Sequence, residues 1–378
     1  MQLREHLKTL EPDLLETIEA LVQYESPSTD KEHCDGLVRH LAGVWSELGL
    51  KTEIIEEEET GDHLRVIYEP EGEAQGQLLV LSHVDTVWPV GTTTERPFRV
   101  EGDRAYGPGI FDMKTGAAQT IYALRALLEL GQAPAKRIVL LYNTDEEIGS
   151  PTSRGLIEEE ARQSDAVLVL EPSVPPMGAL KTFRKGVGMY NLEITGRPAH
   201  AGADPEQGVS AVTELAHQII HLNSLAAEEQ GTTVNVGVVQ GGTRSNVIAA
   251  AARAEIDVRV TSMEEADRIH QDMMAVKSVL AGTTLKMTGG INRPPMLRTE
   301  RTVALFEQAR QLAFEIGFEL QEASTGGGSD GNFTAALGVP TIDGLGAVGE
   351  GGHAEHEHIL IDHLVPRTAL LARLLETL

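Results

Sequence analysis

The sequence is poor in cysteine, in aromatic residues and in positive charge. Cys34 is its single cysteine, which excludes an internal disulfide and any thiolate metal cluster, so a metal site would have to be built from His, Asp or Glu. Its surroundings, Lys31-Glu32-His33 and Asp35, give no thiolate activation and make it a spectator. Lys and Arg number 31 against 57 Asp and Glu, and the resulting net charge of -26 repels phosphate backbones and anionic headgroups. Nucleic acid and membrane surfaces are therefore excluded as partners, while the acidity serves solubility or a cation site. No apolar run approaches a membrane span. The polar start, Met1-Gln2-Leu3-Arg4-Glu5-His6, has no signal-peptide core. The chain reads as cytoplasmic, and a periplasmic form trimmed of its leader would look the same. The Gly326-Gly327-Gly328-Ser329-Asp330 stretch lacks the lysine of a phosphate loop and reads as a tight turn opening a helix.

What is present is a folded chain of 378 residues, 41% hydrophobic, too long for one core and so expected to form two domains. Amphipathic helices are predicted over 11–24 and 31–48, separated by Ser26-Pro27-Ser28-Thr29. Strands at 52–57, 64–69, 77–81, 137–142 and 166–170 alternate with helices at 114–130 and 153–162. That rhythm predicts an α/β fold with a mostly parallel, helix-covered sheet. Beyond the Pro-rich link 172–176 the order becomes strand 187–195, helix 209–225, strands 232–240 and 251–260, helix 263–280 and strand 284–288. This β-α-β-β-α-β order is that of an inserted α+β ferredoxin-like domain. From about residue 292 the α/β style resumes, with helices at 302–316 and 330–337, a strand at 340–343 and a last helix at 363–378. The predicted division is a catalytic domain of 1–180 with 291–378, interrupted by a domain of 181–290.

Chemistry gathers at the strand ends. His83 and Asp85 follow one strand, Asp145-Glu146-Glu147 a second and Glu171 a third, and in open α/β sheets ligands bind beyond the carboxyl ends of the strands. Asp112 follows the rigid Gly107-Pro108-Gly109-Ile110-Phe111 stretch at the start of a helix. With His353 these give five candidate ligands, His83, Asp112, Glu147, Glu171 and His353, and the mixed imidazole and carboxylate supply best suits two zinc ions. A carboxylate bridging ions about 3.5–4 Å apart would be the usual architecture for metal-assisted hydrolysis. Asp85 is placed to accept the other imidazole N–H of His83, and Glu146 is left as general base. His356, His358 and His363 compete with His353, which is preferred because Gly351 and Gly352 give room for close approach. His63, His217, His221 and His270 lack such a setting and read as surface or helix residues. A metal-binding scaffold would need neither Glu146 nor all five ligands.

Seven stretches, taken in order, resemble the signature of the M20 metallopeptidases. They are Ser82-His83-Val84-Asp85, Gly109-Ile110-Phe111-Asp112-Met113-Lys114, Asp145-Glu146-Glu147-Ile148-Gly149, Leu170-Glu171-Pro172, Gly196-Arg197-Pro198-Ala199-His200-Ala201-Gly202, Gly328-Ser329-Asp330 and Gly351-Gly352-His353. The resemblance implies a zinc-dependent catalytic domain interrupted by a smaller lid through which the chain forms homodimers, with two Zn2+ per subunit, or Co2+ or Mn2+ in their place. It makes Asp112 the bridging ligand, His83 and Glu171 ligands of one ion, Glu147 and His353 ligands of the other, Glu146 the base and Asp85 the partner that supports His83. It implies a cis peptide after Asp112, and it casts His200 as an oxyanion donor acting from the opposite subunit. Where relatives more often have Asp and Tyr, this chain has Glu355-His356-Glu357-His358. The implied reaction releases a C-terminal amino acid, glutamate above all, from small peptides, N-acyl glutamates or folate-type amides. The alternative within the family is an N-acyl-amino-acid deacylase, desuccinylase or dipeptidase. Arginine suits a terminal carboxylate because its planar fork donates two parallel hydrogen bonds. Arg259 and Arg293 end or follow strands of the insertion, Lys185 and Asn246 lie at its other junctions, and the resemblance makes all four substrate contacts.

Overall fold

Strand formation follows from the β-branched and leucine-rich runs, which bury both faces when flanked by helices. The computed structural model describes residues 2–378. Its main strands are β1 (Lys51–Ile55), β2 (His63–Tyr68), β3 (Gln77–His83), β4 (Arg137–Asn143), β5 (Ala166–Val169), β6 (Gly186–Thr195), β7 (Thr233–Gly241), β8 (Ala251–Val260), β9 (Thr284–Arg293) and β10 (Thr341–Ile342). The longer helices are α1 (Gln2–Gln23), α2 (Lys31–Glu47), α3 (Thr115–Glu129), α4 (Arg154–Arg162), α5 (Ala211–Asn223), α6 (Met263–Met274), α7 (Glu300–Ile316) and α8 (Leu364–Thr377).

The chain divides into two units. The first runs to Phe183 and takes in Leu297–Ser324 and Ser329–Leu378; the second is Arg184–Met296 with Thr325–Gly328. Against the predicted 181–290, residues 181–183 stay with the first unit, where the Lys181 amide donates to the Asp343 carbonyl at 2.8 Å. Residues 291–296 belong to the second because β9 continues to Arg293, well past the predicted end at 288.

Among the described residues the large sheet of the first unit has the order β1-β2-β4-β3-β5-β10, antiparallel from β1 to β4 and parallel from β4 to β10. Successive side chains of a strand face opposite ways. Leu78 and Val80 of β3 therefore join the core under α1, α2, α3, α7 and α8, while Leu79 and Leu81 join a second core with Ile157 and Ala161 of α4. Helix α1 begins at Gln2, not at residue 11, and carries Pro12 in its interior. An interior proline costs about 3 kcal/mol, which the buried stripe Leu3, Leu7, Leu10, Leu14, Ile18 and Leu21 offsets by continuing unbroken across it.

In the second unit the antiparallel order is β7-β8-β6-β9, with α5 and α6 packed on the core formed by Tyr190, Leu192, Ile256, Val258, Leu215 and Ile269. Helix α6 stops at Met274 instead of reaching 280. The cause is the buried carboxylate of Glu214, which accepts hydrogen bonds from the Val279 and Leu280 amides (3.0 and 2.7 Å), from Gln218 and from Thr283, drawing residues that would extend the helix into a loop around it. His63 is likewise not at the surface. It is buried at the start of β2, with Nε2 3.0 Å from Thr152 Oγ1.

Candidate metal centre

Parallel register sets the strand ends level. His83 of β3 lies opposite Asn143 of β4, and Leu81 lies opposite Val169 of β5. The residues that follow, Asp85, Asp145 to Glu147 and Glu171, thus emerge on one edge of the sheet. Glu146–Ile148 forms a single 3-10 turn closed by Gly149. Helix α3 brings its first turn against β5 because Gly116 has no side chain: a Cβ there would sit 2.4 Å from the Leu170 carbonyl oxygen. Asp112 lies in the turn before α3, and the Asp112–Met113 peptide is cis, as the resemblance implied.

Asp112 faces a different imidazole with each of its oxygens. His83 Nε2 is 3.1 Å from Asp112 Oδ1 and 3.6 Å from Glu171 Oε1, while His353 Nε2 is 3.5 Å from Asp112 Oδ2 and 3.0 Å from Glu147 Oε1. The five candidate ligands therefore come together as two half-sites sharing one carboxylate. Donor atoms of His83, Asp112 and Glu147 lie within 4.8 Å of one another, and so do those of His83, Glu146 and Glu171. Asp85 is fully buried and does more than face His83, whose Nδ1 is 3.4 Å from its Oδ1. It accepts from Ser28 Oγ at 2.6 Å and from the amides of Glu146 and Glu147 at 3.3 and 3.1 Å, so one carboxylate steadies both an imidazole and the acidic turn. Among the competing histidines, His358 is buried beside the Tyr106 ring, and it is His353 that reaches the carboxylates.

The donor set fits divalent cations. Five carboxylates, those of Asp85, Asp112, Glu146, Glu147 and Glu171, surround two imidazoles in a largely buried place, and buried negative charge demands compensation. The proton affinities show the same demand. His353, drawn first by its hydrogen bond to Glu147, has its pKa raised to about 9. Burial opposes the charged form of His83, yet its bonds to Asp112 and Asp85 and the charge of Glu146 prevail and raise its pKa well above the ordinary value. Burial raises the Glu147 carboxyl; it is also the largest influence on Asp112, where the hydrogen bond and charge of His83 together with the charges of His353 and Lys181 outweigh it and hold the carboxyl low.

One residue went unnoticed in the sequence. Glu357 is 2% exposed and its carboxylate accepts from the amides of Gly109, Phe111 and Asp112 and from Trp88 Nε1. Within the His-rich 355–358 segment it looks like surface charge, and only the hint that a relative's pattern changes there marked the spot.

The second unit holds the remaining predicted residues, in two groups. Arg259 and Arg293 both lie in register with Val187, and Lys185 immediately precedes β6, so three cations share one end of the sheet. Arg293 is buried, and the fork of Arg259 is engaged by Asp257 at 2.9 and 2.8 Å. Lys185 Nζ donates to the Gly231 carbonyl at 2.6 Å. Asn246 does not join them. It sits in the loop between β7 and β8 at the opposite end, about 27 Å away at 3.4 Å per strand residue, its carbonyl accepting from the Ala201 amide beside His200 at 3.0 Å. His200 is exposed, and its Nδ1 accepts from the amides of Gly202 and Ala203, which leaves Nε2 as the N–H donor.

Two imidazole–carboxylate half-sites beside the strand ends of an α/β sheet, in a chain interrupted by a small α+β unit, are an arrangement suited to a metal-dependent hydrolase. The sequence profile of peptidase family M20/M25/M40 matches residues 79–377, and the chain belongs to that metallopeptidase family. Carboxypeptidase G2 of Pseudomonas sp. (strain RS-16) is 33% identical over 371 residues, covering 97% of this chain and 89% of that protein. Acetylornithine deacetylase of Salmonella arizonae is 31% identical over 273 residues, 67% of this chain and 69% of its own. In structure, the M20 family metallo-carboxypeptidase Sso-CP2 of Sulfolobus solfataricus superposes with a TM-score of 0.78 at 18% identity, over 96% of this chain and 98% of that one. No helix among the described residues is long and apolar enough to cross a membrane.

Proposed function

We propose that the protein is a zinc-dependent carboxypeptidase that hydrolyses an amide bond to release a C-terminal glutamate from peptides, N-acyl glutamates or folate-type substrates. The observation that carries the reading is the pair of Asp112 oxygens, one turned to the His83–Glu171 pair and the other to the His353–Glu147 pair. The near full-length likeness to carboxypeptidase G2 supports carboxypeptidase action.

His83, Glu171 and Asp112 would hold one ion, and His353, Glu147 and Asp112 the other. When bound, the ions supply Lewis acidity towards the scissile carbonyl and ease deprotonation of the attacking water. Glu146 takes the proton from that water as its oxygen bonds to the carbonyl carbon, then passes it to the nitrogen as the C–N bond breaks. Asp85 keeps Glu146 in place through its amide. His200 donates its Nε2–H to the oxygen on which charge develops, acting from the second subunit of a homodimer. Its exposure, and its place at the end of the lid sheet far from Arg259 and Arg293, support action in trans. Arg293, Arg259 and Lys185 anchor the substrate carboxylates, and in this reading Arg259 exchanges Asp257 for substrate. Asn246 accompanies His200.

Likeness to acetylornithine deacetylase favours a second reading, removal of an acyl group from another amino acid. The test compares kcat/KM on N-acyl glutamates, N-acyl alanines, N-acetylornithine and dipeptides for the wild type and Arg293→Ala. A charge-assisted hydrogen bond contributes about 1.5–3 kcal/mol, so the variant should lose about 10- to 150-fold on glutamate and less on alanine substrates. Equal rates on N-acetylornithine, or no loss in the variant, would favour the deacylase.

A further inference from the structure

We propose that Glu357 is a positioning residue for Asp112: its carboxylate, and not a bound cation, sets the loop from which the shared ligand is presented. The proposal rests on the reading of Asp112 as the ligand common to both ions. Its grounds are geometric. Oε1 of Glu357 accepts from the Phe111 and Asp112 amides at 2.9 and 3.0 Å, and Oε2 accepts from the Gly109 amide and Trp88 Nε1 at 2.8 and 3.0 Å. A buried carboxylate is tolerated when it is fully hydrogen-bonded, and here four N–H groups supply that.

The loop is closed on itself by the Ile110 amide to the Gly107 carbonyl and the Lys114 amide to the Gly109 carbonyl, at 3.2 and 3.0 Å, and Glu357 takes the amides at 109, 111 and 112. Gly109 adopts a left-handed backbone (φ 73°), and a Cβ on it would lie 2.6 Å from Thr86 Cγ2, so the chain passes through a place where no side chain fits. The three amides bound by Glu357 belong to this passage. The same short segment also carries His353. Hydrogen bonds from the Ala354 amide to Gly351 and from the Glu357 amide to Ala354, 2.8 and 3.0 Å, close a tight turn between the two residues. Immediately afterwards His358 and Ile359 pair with Tyr106 and Ala105, the strand that leads into Gly107 and on to Asp112. One segment thus provides a ligand of its own and fixes the backbone of the ligand that both ions share, although 245 residues separate Glu357 from Asp112. A partner that orients a metal ligand in this way typically changes metal affinity by about 10- to 100-fold.

Glu357→Ala removes all four acceptor contacts. Glu357→Gln can keep a carbonyl oxygen towards Phe111 and Asp112 while its amide group meets Gly109 and Trp88, donor against donor. Metal stoichiometry and affinity are read by chelator competition on the folded proteins, with the wild type titrated alongside. In the chelator-stripped wild type, hydrogen exchange of the Phe111 and Asp112 amides is followed. The expected result is a loss of about 10- to 100-fold in affinity for at least one ion in Glu357→Ala, a smaller loss in Glu357→Gln, and amides at 111 and 112 that stay protected without metal. A folded Glu357→Ala that binds both ions like the wild type would overturn the proposal, and so would rapid exchange of those amides in the stripped protein. Should the alanine variant fail to fold, the glutamine variant and the exchange measurement decide. A wild type that binds fewer than two ions would refute the two-ion reading instead, and the exchange measurement would still judge the hold of Glu357 on the loop.

Discussion

Replacing Glu146 by glutamine separates the duties of two adjacent acids. The turn that carries them is held through its backbone: the Glu146 and Glu147 amides donate to Asp85, and the Gly149 amide donates to the Glu146 carbonyl at 2.8 Å. Glutamine preserves all of these contacts and the side-chain size, so the change in stability should stay within about 0.5 kcal/mol. What it removes is the ability to accept a proton. Loss of a general base costs about 10²- to 10⁴-fold in turnover, or about 2.7–5.4 kcal/mol at 1.36 kcal/mol per tenfold. The assay is kcat on a saturating N-acyl glutamate, paired with metal analysis of the same gel-filtered sample. Turnover should collapse while metal content stays at the wild-type level, and Glu147→Gln should do the reverse, losing metal first. The Glu146 carboxylate also lies within ligand range of His83 and Glu171. If metal and turnover fall together in Glu146→Gln, the residue is a ligand and the assignment of the pair is refuted.

His200→Ala should lower kcat by about 10²- to 10³-fold with metal content unchanged, and mixing it with Glu146→Gln chains should restore part of the activity in heterodimers; no recovery despite confirmed subunit exchange would exclude action in trans. Glu214→Ala leaves the Val279 and Leu280 amides without their acceptor, and at about 1–3 kcal/mol per orphaned group urea unfolding should show a loss of about 2–6 kcal/mol, where a loss below about 0.5 kcal/mol would mean that the loop re-forms its bonds elsewhere. Cys34, whose thiol is pushed up to about 12 by burial and the nearby Asp85, should resist a thiol reagent at pH 8 until the chain is unfolded; fast labelling of native protein would contradict that environment.

The strand ends were legible because parallel sheets leave a plain trace: apolar runs too short for helices, each followed by a chemically active residue. His83, Glu147 and Glu171 follow from that rule, and Asp112 from the glycines that precede it. The reach of α1 was hidden by Pro12, since local propensity argues for a break and only the apolar stripe crossing it argues otherwise. The early end of α6 and the role of Glu357 were illegible for a shared reason. In each, a buried carboxylate is satisfied by backbone amides far away in sequence, and such a pairing has no periodicity or motif to read. Asn246 parted from Arg259 and Arg293 because strand register, not proximity along the chain, decides which end of a sheet a residue occupies.

The four residues Thr325–Gly328 belong to the inserted unit although the chain on either side of them belongs to the other. They are bound there by the Lys185 amide to the Thr325 carbonyl and by Arg184 Nη1 to the carbonyls of Gly327 and Gly328. For shuffling between homologues, the exchangeable cassette is therefore discontinuous. A graft of 184–296 alone sets a foreign arginine and lysine against a native glycine run, whereas a graft that also carries 325–328 keeps donor and acceptor from the same parent.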